Sequence, residues 1–117
     1  MHQNFSISRG AAEGCQVVLV RGDLDQLTAP LLDVAIDECR AAWPLVVDLS
    51  GVEFISSAGL HTLLRERPFP VSIVAPPGNI TRVFDVVRAR DRCPLFPDLE
   101  SAVRAASGVA VVREVLM

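Results

Sequence analysis

The chain contains no lysine and no tyrosine. All eleven basic residues are arginine, so a P-loop lysine, a Schiff-base lysine and a kinase-type nucleotide lysine are all excluded. Histidine is scarce. His2 and His61 are the two in the chain, which rules out a zinc site built on paired histidines at helical spacing. Cys15, Cys39 and Cys93 form no C-x-x-C. An odd count without a secretory signal reads as reduced intracellular thiols, used as small buried hydrophobes. Long apolar runs are missing too: the longest uncharged stretch, Pro68 to Thr81, is fourteen residues and holds four prolines, well short of the roughly twenty that a membrane span needs. The first ten residues lack the charged start and apolar core of an export signal, so the expected location is the cytoplasm, with no membrane insertion. A formal net charge of −3 supplies no field for phosphate backbones, and nucleic acid is not an expected partner.

What is present points to a single folded unit. A chain of 117 residues, half of them apolar, has room for one core and not two. Phe5 to Ile7 alternates weakly, and Gln16 to Arg21 is an apolar run closed by Gly22; both read as strands. Thr28 and Pro30 mark a helix start, with Thr28 accepting the first free backbone N–H groups. Leu27 and Leu32 stand at the spacing of a hydrophobic staple, and Leu31, Val34, Ala35 and Cys39 mark the helix's apolar face. Leu45 to Leu49 has the β-branched character of a central strand. A second helix follows, with Leu60, Leu63 and Leu64 at i, i+3, i+4, and ends at Pro68. Val71 to Ala75 is another strand, and Asn79 stands as cap to a helix carrying Ile80, Val83, Phe84 and Val87. Asp98 likewise precedes Leu99, Ala102, Val103 and Ala106. Strands and helices thus alternate, as expected of an α/β domain with helical crossovers. Val109 to Leu116 reads as an added edge strand in preference to a helix.

The stretch VVDLSGVEFISSAGLHTLL, from Val46 to Leu64, places two hydroxyls and a glycine where a buried strand gives way to the first turn of a helix. A hydroxyl there can cap the helix, and the free N–H groups and dipole tolerate an added phosphate. Asp48 and Ser50 read as turn formers at the strand exit. Asp23 and Asp25 read as turn residues in the loop after the second strand. His61 reads as a surface residue without a catalytic partner. Arg88, Arg90 and Arg92 with Asp85 and Asp91 read as a solvated mixed-charge stretch.

The run D-L-S-G-V-x-F-I-S-S-A-G-L resembles the signature of STAS domains, the family of anti-sigma factor antagonists and sulphate-transporter modules. Gly22 to Asp25, then Thr28, Ala29, Pro30 and Leu32, is similar to the family's Gly-Glu-Leu-Asp loop and first helix. Val71 to Val74, the helix from Asn79 and the segment Leu95 to Ala102 follow the family in order and spacing. The likeness covers about residues 5 to 106, with 107–117 as a C-terminal extension, in a single domain spanning 1–117. It implies a STAS-like fold: a mixed sheet of four to five strands packed with about four helices.

The resemblance also implies a role. By match, Ser57 is the serine that a kinase-type anti-sigma factor phosphorylates, with Ser56 as second choice; Ser56 stands where many members carry an aspartate, which removes a carboxylate that could orient the hydroxyl or be read by the kinase. Asp25, Thr28, Ser56, Ser57, Ala58 and Gly59 are the implied partner-binding residues. The unmodified form captures the anti-sigma factor and frees a sigma factor, and the phosphorylated form lets go. Two alternatives stand beside this reading: a STAS subunit of a lipid-transport ABC complex or a stressosome-like assembly, and an antagonist regulated by its thiols. No nucleophile–base pair and no metal cluster can be drawn from these residues, so the chain reads as a binding module, without enzymatic activity, cofactor or metal.

Overall fold

A computed structural model describes the backbone of residues 5–116 and the side chains of residues 5–107. The elements run β1 (Ser6–Ala12), β2 (Cys15–Arg21), α1 (Ala29–Asp37), β3 (Leu45–Gly51), α2 (Ser57–Leu64), β4 (Val71–Val74), α3 (Asn79–Val86), a short 3-10 turn (Ala89–Asp91), β5 (Leu95–Phe96) and α4 (Leu99–Leu116). The sheet order is β1-β2-β3-β4-β5. β1 is antiparallel to β2, and every other pairing is parallel. This is the mixed five-stranded sheet with four helices that the family resemblance implies.

Strand alternation builds a core on each face of the sheet. Leu45, Val47 and Leu49 of β3 point to the side where Leu32 and Ile36 of α1, Leu63 of α2 and Ile80 and Phe84 of α3 are buried. Val46, between them, packs with Val17, Val74 and the α4 residues Ala102, Val103 and Ala106 on the other side. A central strand covered on both faces is predominantly apolar, and this one is buried from Leu45 to Leu49, with Asp48 its one polar member. The β1–β2 connection is a two-residue turn with Glu13 at φ 45° and Gly14 at φ 83°, the left-handed pair whose twist suits a hairpin.

Several local expectations are corrected. α1 buries Ala29, Leu32, Ala35 and Ile36, whereas Leu31 and Val34 are 55% and 57% exposed. This helix is apolar on two faces, so spacing alone selects the wrong one. Leu27 is exposed and Leu32 fully buried, so the staple does not form. Thr28 does flank α1, but its hydroxyl makes no cap bond: it donates to the Asp23 carbonyl at 2.8 Å and accepts from Asp25 N–H at 2.9 Å. The cap of α3 is Gly78 and not Asn79; the Gly78 N–H donates to the Thr81 hydroxyl at 3.0 Å, which a polar cap residue is not needed for. Val109 to Leu116 is the continuation of α4 and not an edge strand. Its valines favour a strand taken alone, but a helix already started at Asp98 propagates at little cost; there the Asp98 carboxylate accepts from Ser101 N–H at 2.7 Å. That bond and the Ser101 side chain hold the Asp98 carboxyl below its ordinary range.

Candidate functional site

Two loops zip together at the end of the sheet where β2 and β3 emerge. Leu24 N–H donates to the Phe54 carbonyl and Ser56 N–H to the Leu24 carbonyl, both at 2.9 Å, and Leu24 bridges Ile55 in parallel fashion. Leu24 is fully buried. Against this seam lies the first turn of α2, and Gly59 is where it comes nearest: a Cβ there would stand 2.9 Å from the Leu24 carbonyl oxygen and 2.8 Å from Leu24 Cγ. Glycine is required by that approach. Upstream, Asp48 Oδ1 accepts from Ser50 N–H at 2.9 Å and from the Ser50 hydroxyl at 2.6 Å, the strand-exit role expected of the pair.

The two serines divide the work. Ser56 is the N-cap, extended at φ −94° and ψ 175°, and its hydroxyl accepts from Gly59 N–H at 3.4 Å. Ser57 is the first helical residue and is exposed. Its hydroxyl makes no hydrogen bond within the described residues. It stands on the rim of a shallow concavity of about 630 Å3 between α1 and α2, lined by Gln26, Ala29, Pro30 and Asp33 on one side and Ser56, Ser57, Ala58, His61 and Thr62 on the other. Outside the groove lining, Leu27, Leu31, Val34 and Phe54 are exposed large hydrophobics, of which the first three recur along α1 and the turn before it at spacings of four and three.

The remaining residues singled out by the resemblance fall into two groups. Ala58 lies on the rim with the serines, while Thr28 and Gly59 are buried under it and shape the surface from beneath. Asp25 lies outside the groove lining; its Oδ1 accepts from Leu27 N–H at 2.9 Å and Thr28 N–H at 3.1 Å, holding the loop that enters α1. His61 carries more than its reading as a surface residue allows. It follows Ser57 by four residues on one helix and lines the same groove, a spacing that was open to inspection in the sequence.

Below the groove, the Arg67 side chain is 5% exposed and pairs with Asp33 at 2.7 Å and Asp37 at 2.5 Å, and also donates to the Thr62 carbonyl at 3.2 Å. Arg65 adds a second guanidinium to Asp33 at 2.5 Å. These contacts clamp α1 to the end of α2 and neutralise the one carboxylate in the groove. Among the described residues, no group of three or more His, Cys, Asp or Glu is placed to hold a metal ion, and no helix is long and apolar enough to cross a membrane.

The three thiols are free and lie apart from the groove. Cys15 is buried on the α4 side of the sheet and Cys93 on the opposite side, so those two cannot approach each other. Burial raises the pKa of all three, that of Cys93 to about 11. A protonated, desolvated thiol is a poor nucleophile and a poor redox sensor.

The serine pair at the start of α2 beside the β3 exit and the Gly22 to Asp25 loop behind it are the segments in which the sequence resembles STAS domains. The chain belongs to that family: the family model described as Mlab, STAS domain, matches residues 7–97. Within the family it is similar to the anti-sigma-F factor antagonist RsfB of Mycobacterium tuberculosis, at 46% identity over 52 residues, a match spanning 43% of this chain and 43% of that relative. Its fold is similar to the crystal structure of an anti-sigma factor antagonist from Mycobacterium paratuberculosis, with 30% identity, a TM-score of 0.75 and coverage of 88% of this chain and 94% of that one. The fold is also that of the anti-sigma factor antagonist SpoIIAA in its unphosphorylated form, at 16% identity, a TM-score of 0.59 and coverage of 93% and 97%.

Proposed function

We propose that this chain is an anti-sigma factor antagonist: a protein-binding switch that captures an anti-sigma factor on the α1–α2 groove and is released when that partner, acting as a kinase, phosphorylates Ser57. One observation carries the reading. Ser56 performs the helix capping, which leaves the exposed Ser57 hydroxyl with no structural task. The relatives named as antagonists support the same role, and the exposed apolar side chains of α1 and the turn before it, Leu27, Leu31 and Val34, add surface of the kind a protein partner buries.

The transfer needs only what an ATP-bound kinase supplies. The Ser57 oxygen forms a bond to the γ-phosphorus of ATP, the bond from that phosphorus to the β–γ bridging oxygen breaks, the serine proton is lost, and ADP leaves. The product adds about −1.5 to −2 charges at the rim of a close interface, where desolvation and repulsion oppose binding. Neither α2 nor its cap has to move.

The test is to incubate the chain with candidate anti-sigma kinases and ATP and to read one added phosphate by mass spectrometry. Ser57→Ala is expected to remove the label, and Ser57→Asp to weaken capture of the partner. Equal labelling of Ser57→Ala and wild type would overturn the site. A complex that ATP never dissociates would instead identify a permanent STAS subunit, as in a transport or stressosome-like assembly.

A further inference from the structure

Among the described residues, His61 is the one titratable residue besides Asp33 that lines the groove, and it stands one helical turn after Ser57. Residues at i and i+4 on a helix have Cβ atoms about 5–6 Å apart, within reach of a phosphoryl group on one and an imidazole on the other. Both side chains are exposed, and neither makes a hydrogen bond or ion pair within the described residues, so nothing competes for them. The surrounding charges are accounted for. From α1, Asp33 faces the groove but is held by Arg65 and Arg67, and Asp37 by Arg67; Arg65, four residues beyond His61 and capping the end of α2, is occupied by Asp33.

We propose that His61 is the counter-charge to a phosphoryl group on Ser57, so that the modified surface carries a phosphate–imidazolium pair whose net charge depends on pH. The inference rests on Ser57 being the modified residue. It goes further in naming the group on this chain's own surface that pairs with the phosphate. A phosphoserine has its second ionisation near pH 6, and histidine is the side chain whose charge changes in the same range. Placed together they couple: the dianion favours the protonated ring, and the protonated ring favours the dianion. The pair loses its two protons in two steps, so its net charge passes from about zero through about −1 to about −2 as pH rises.

The decisive measurement installs phosphoserine at position 57 by genetic encoding, so no kinase is needed, and follows the ring by proton–carbon NMR against pH, with His61→Gln to assign the signal. Relative to the unmodified chain, the His61 midpoint is expected to rise by roughly half a pH unit or more, about threefold in proton affinity, in line with a strengthened i,i+4 ion pair. By reciprocity, the phosphorus-31 midpoint of the phosphoserine is expected to move up by a similar amount in His61→Gln. Midpoints unchanged to within about 0.1 unit in both experiments would overturn the pair. Because the phosphate is installed directly, that outcome is distinct from a failure of the kinase to act on Ser57, which would overturn the switch and leave the pair as measured.

Discussion

Ser56 has an extended backbone and Ser57 a helical one, and that single step decides which hydroxyl turns inward to the helix and which faces the groove. The sequence shows both serines but not the division, because capping depends on a ψ angle that two identical side chains do not reveal. Gly59 was legible as a small residue in a tight turn; the reason for it was not, since it lies in the Leu24 carbonyl from a loop 35 positions earlier. Gly59→Ala is expected to destabilise the fold by about 1–3 kcal/mol, because the new methyl meets a backbone oxygen that cannot move aside without opening the loop seam. Urea unfolding followed through Trp43, the single tryptophan, measures it. A cost below about 0.5 kcal/mol would show that the seam gives way easily. Asp25 and Thr28 were legible as loop residues, and their bonds within the turn at the start of α1 give that reading its physical content.

At the scale of elements, α1 is the most informative helix because its pattern misleads. Its buried stripe and its exposed stripe are both apolar, and a helix that needed only to pack on the sheet would not carry Leu31 and Val34 outward. Periodicity finds helices well and chooses between two apolar faces badly; the choice here is made by the sheet, whose β3 side chains meet Leu32 and Ile36. The exposed stripe is the better candidate for the partner. Leu31→Glu is expected to leave stability within about 0.5 kcal/mol of wild type while weakening capture of the anti-sigma factor about tenfold or more, read by calorimetry beside an unfolding curve. Loss of stability without loss of binding would assign the stripe to the fold. The clamp from Arg67 to Asp33 and Asp37 was not legible at all, since it joins residues about thirty positions apart through a side chain whose burial no local pattern foretells.

Across the whole molecule the sheet separates two cores, and their thiols respond to pH together. With neither lysine nor tyrosine in the chain, the cysteines are the side chains that titrate between about pH 8.5 and 12. The folded state holds the Cys93 proton up to about 11, against 9.0 for the ordinary thiol. The native form therefore binds the proton more tightly, and its stabilising effect is complete below about pH 9 and lost as pH rises toward about 11. Unfolding free energies taken across that range are expected to fall, by a total on the order of 1–3 kcal/mol, and in Cys93→Ala the decline is expected to be shallower; an unchanged slope would place the alkaline sensitivity elsewhere. The order of strands and helices was legible from alternation and the family pattern, whereas the helical end of the chain was not, because valine-rich residues favour a strand until the helix before them is known. The capping arrangement at Ser56 has one further consequence. Under the proposed switch, a phosphate on the neighbouring residue leaves the scaffold in place and acts by charge and not by shape, so dissolved salt would become a second input: at 0.15 M ions the field fades over about 8 Å, and concentrated brine is expected to bring the written and unwritten forms toward the same grip.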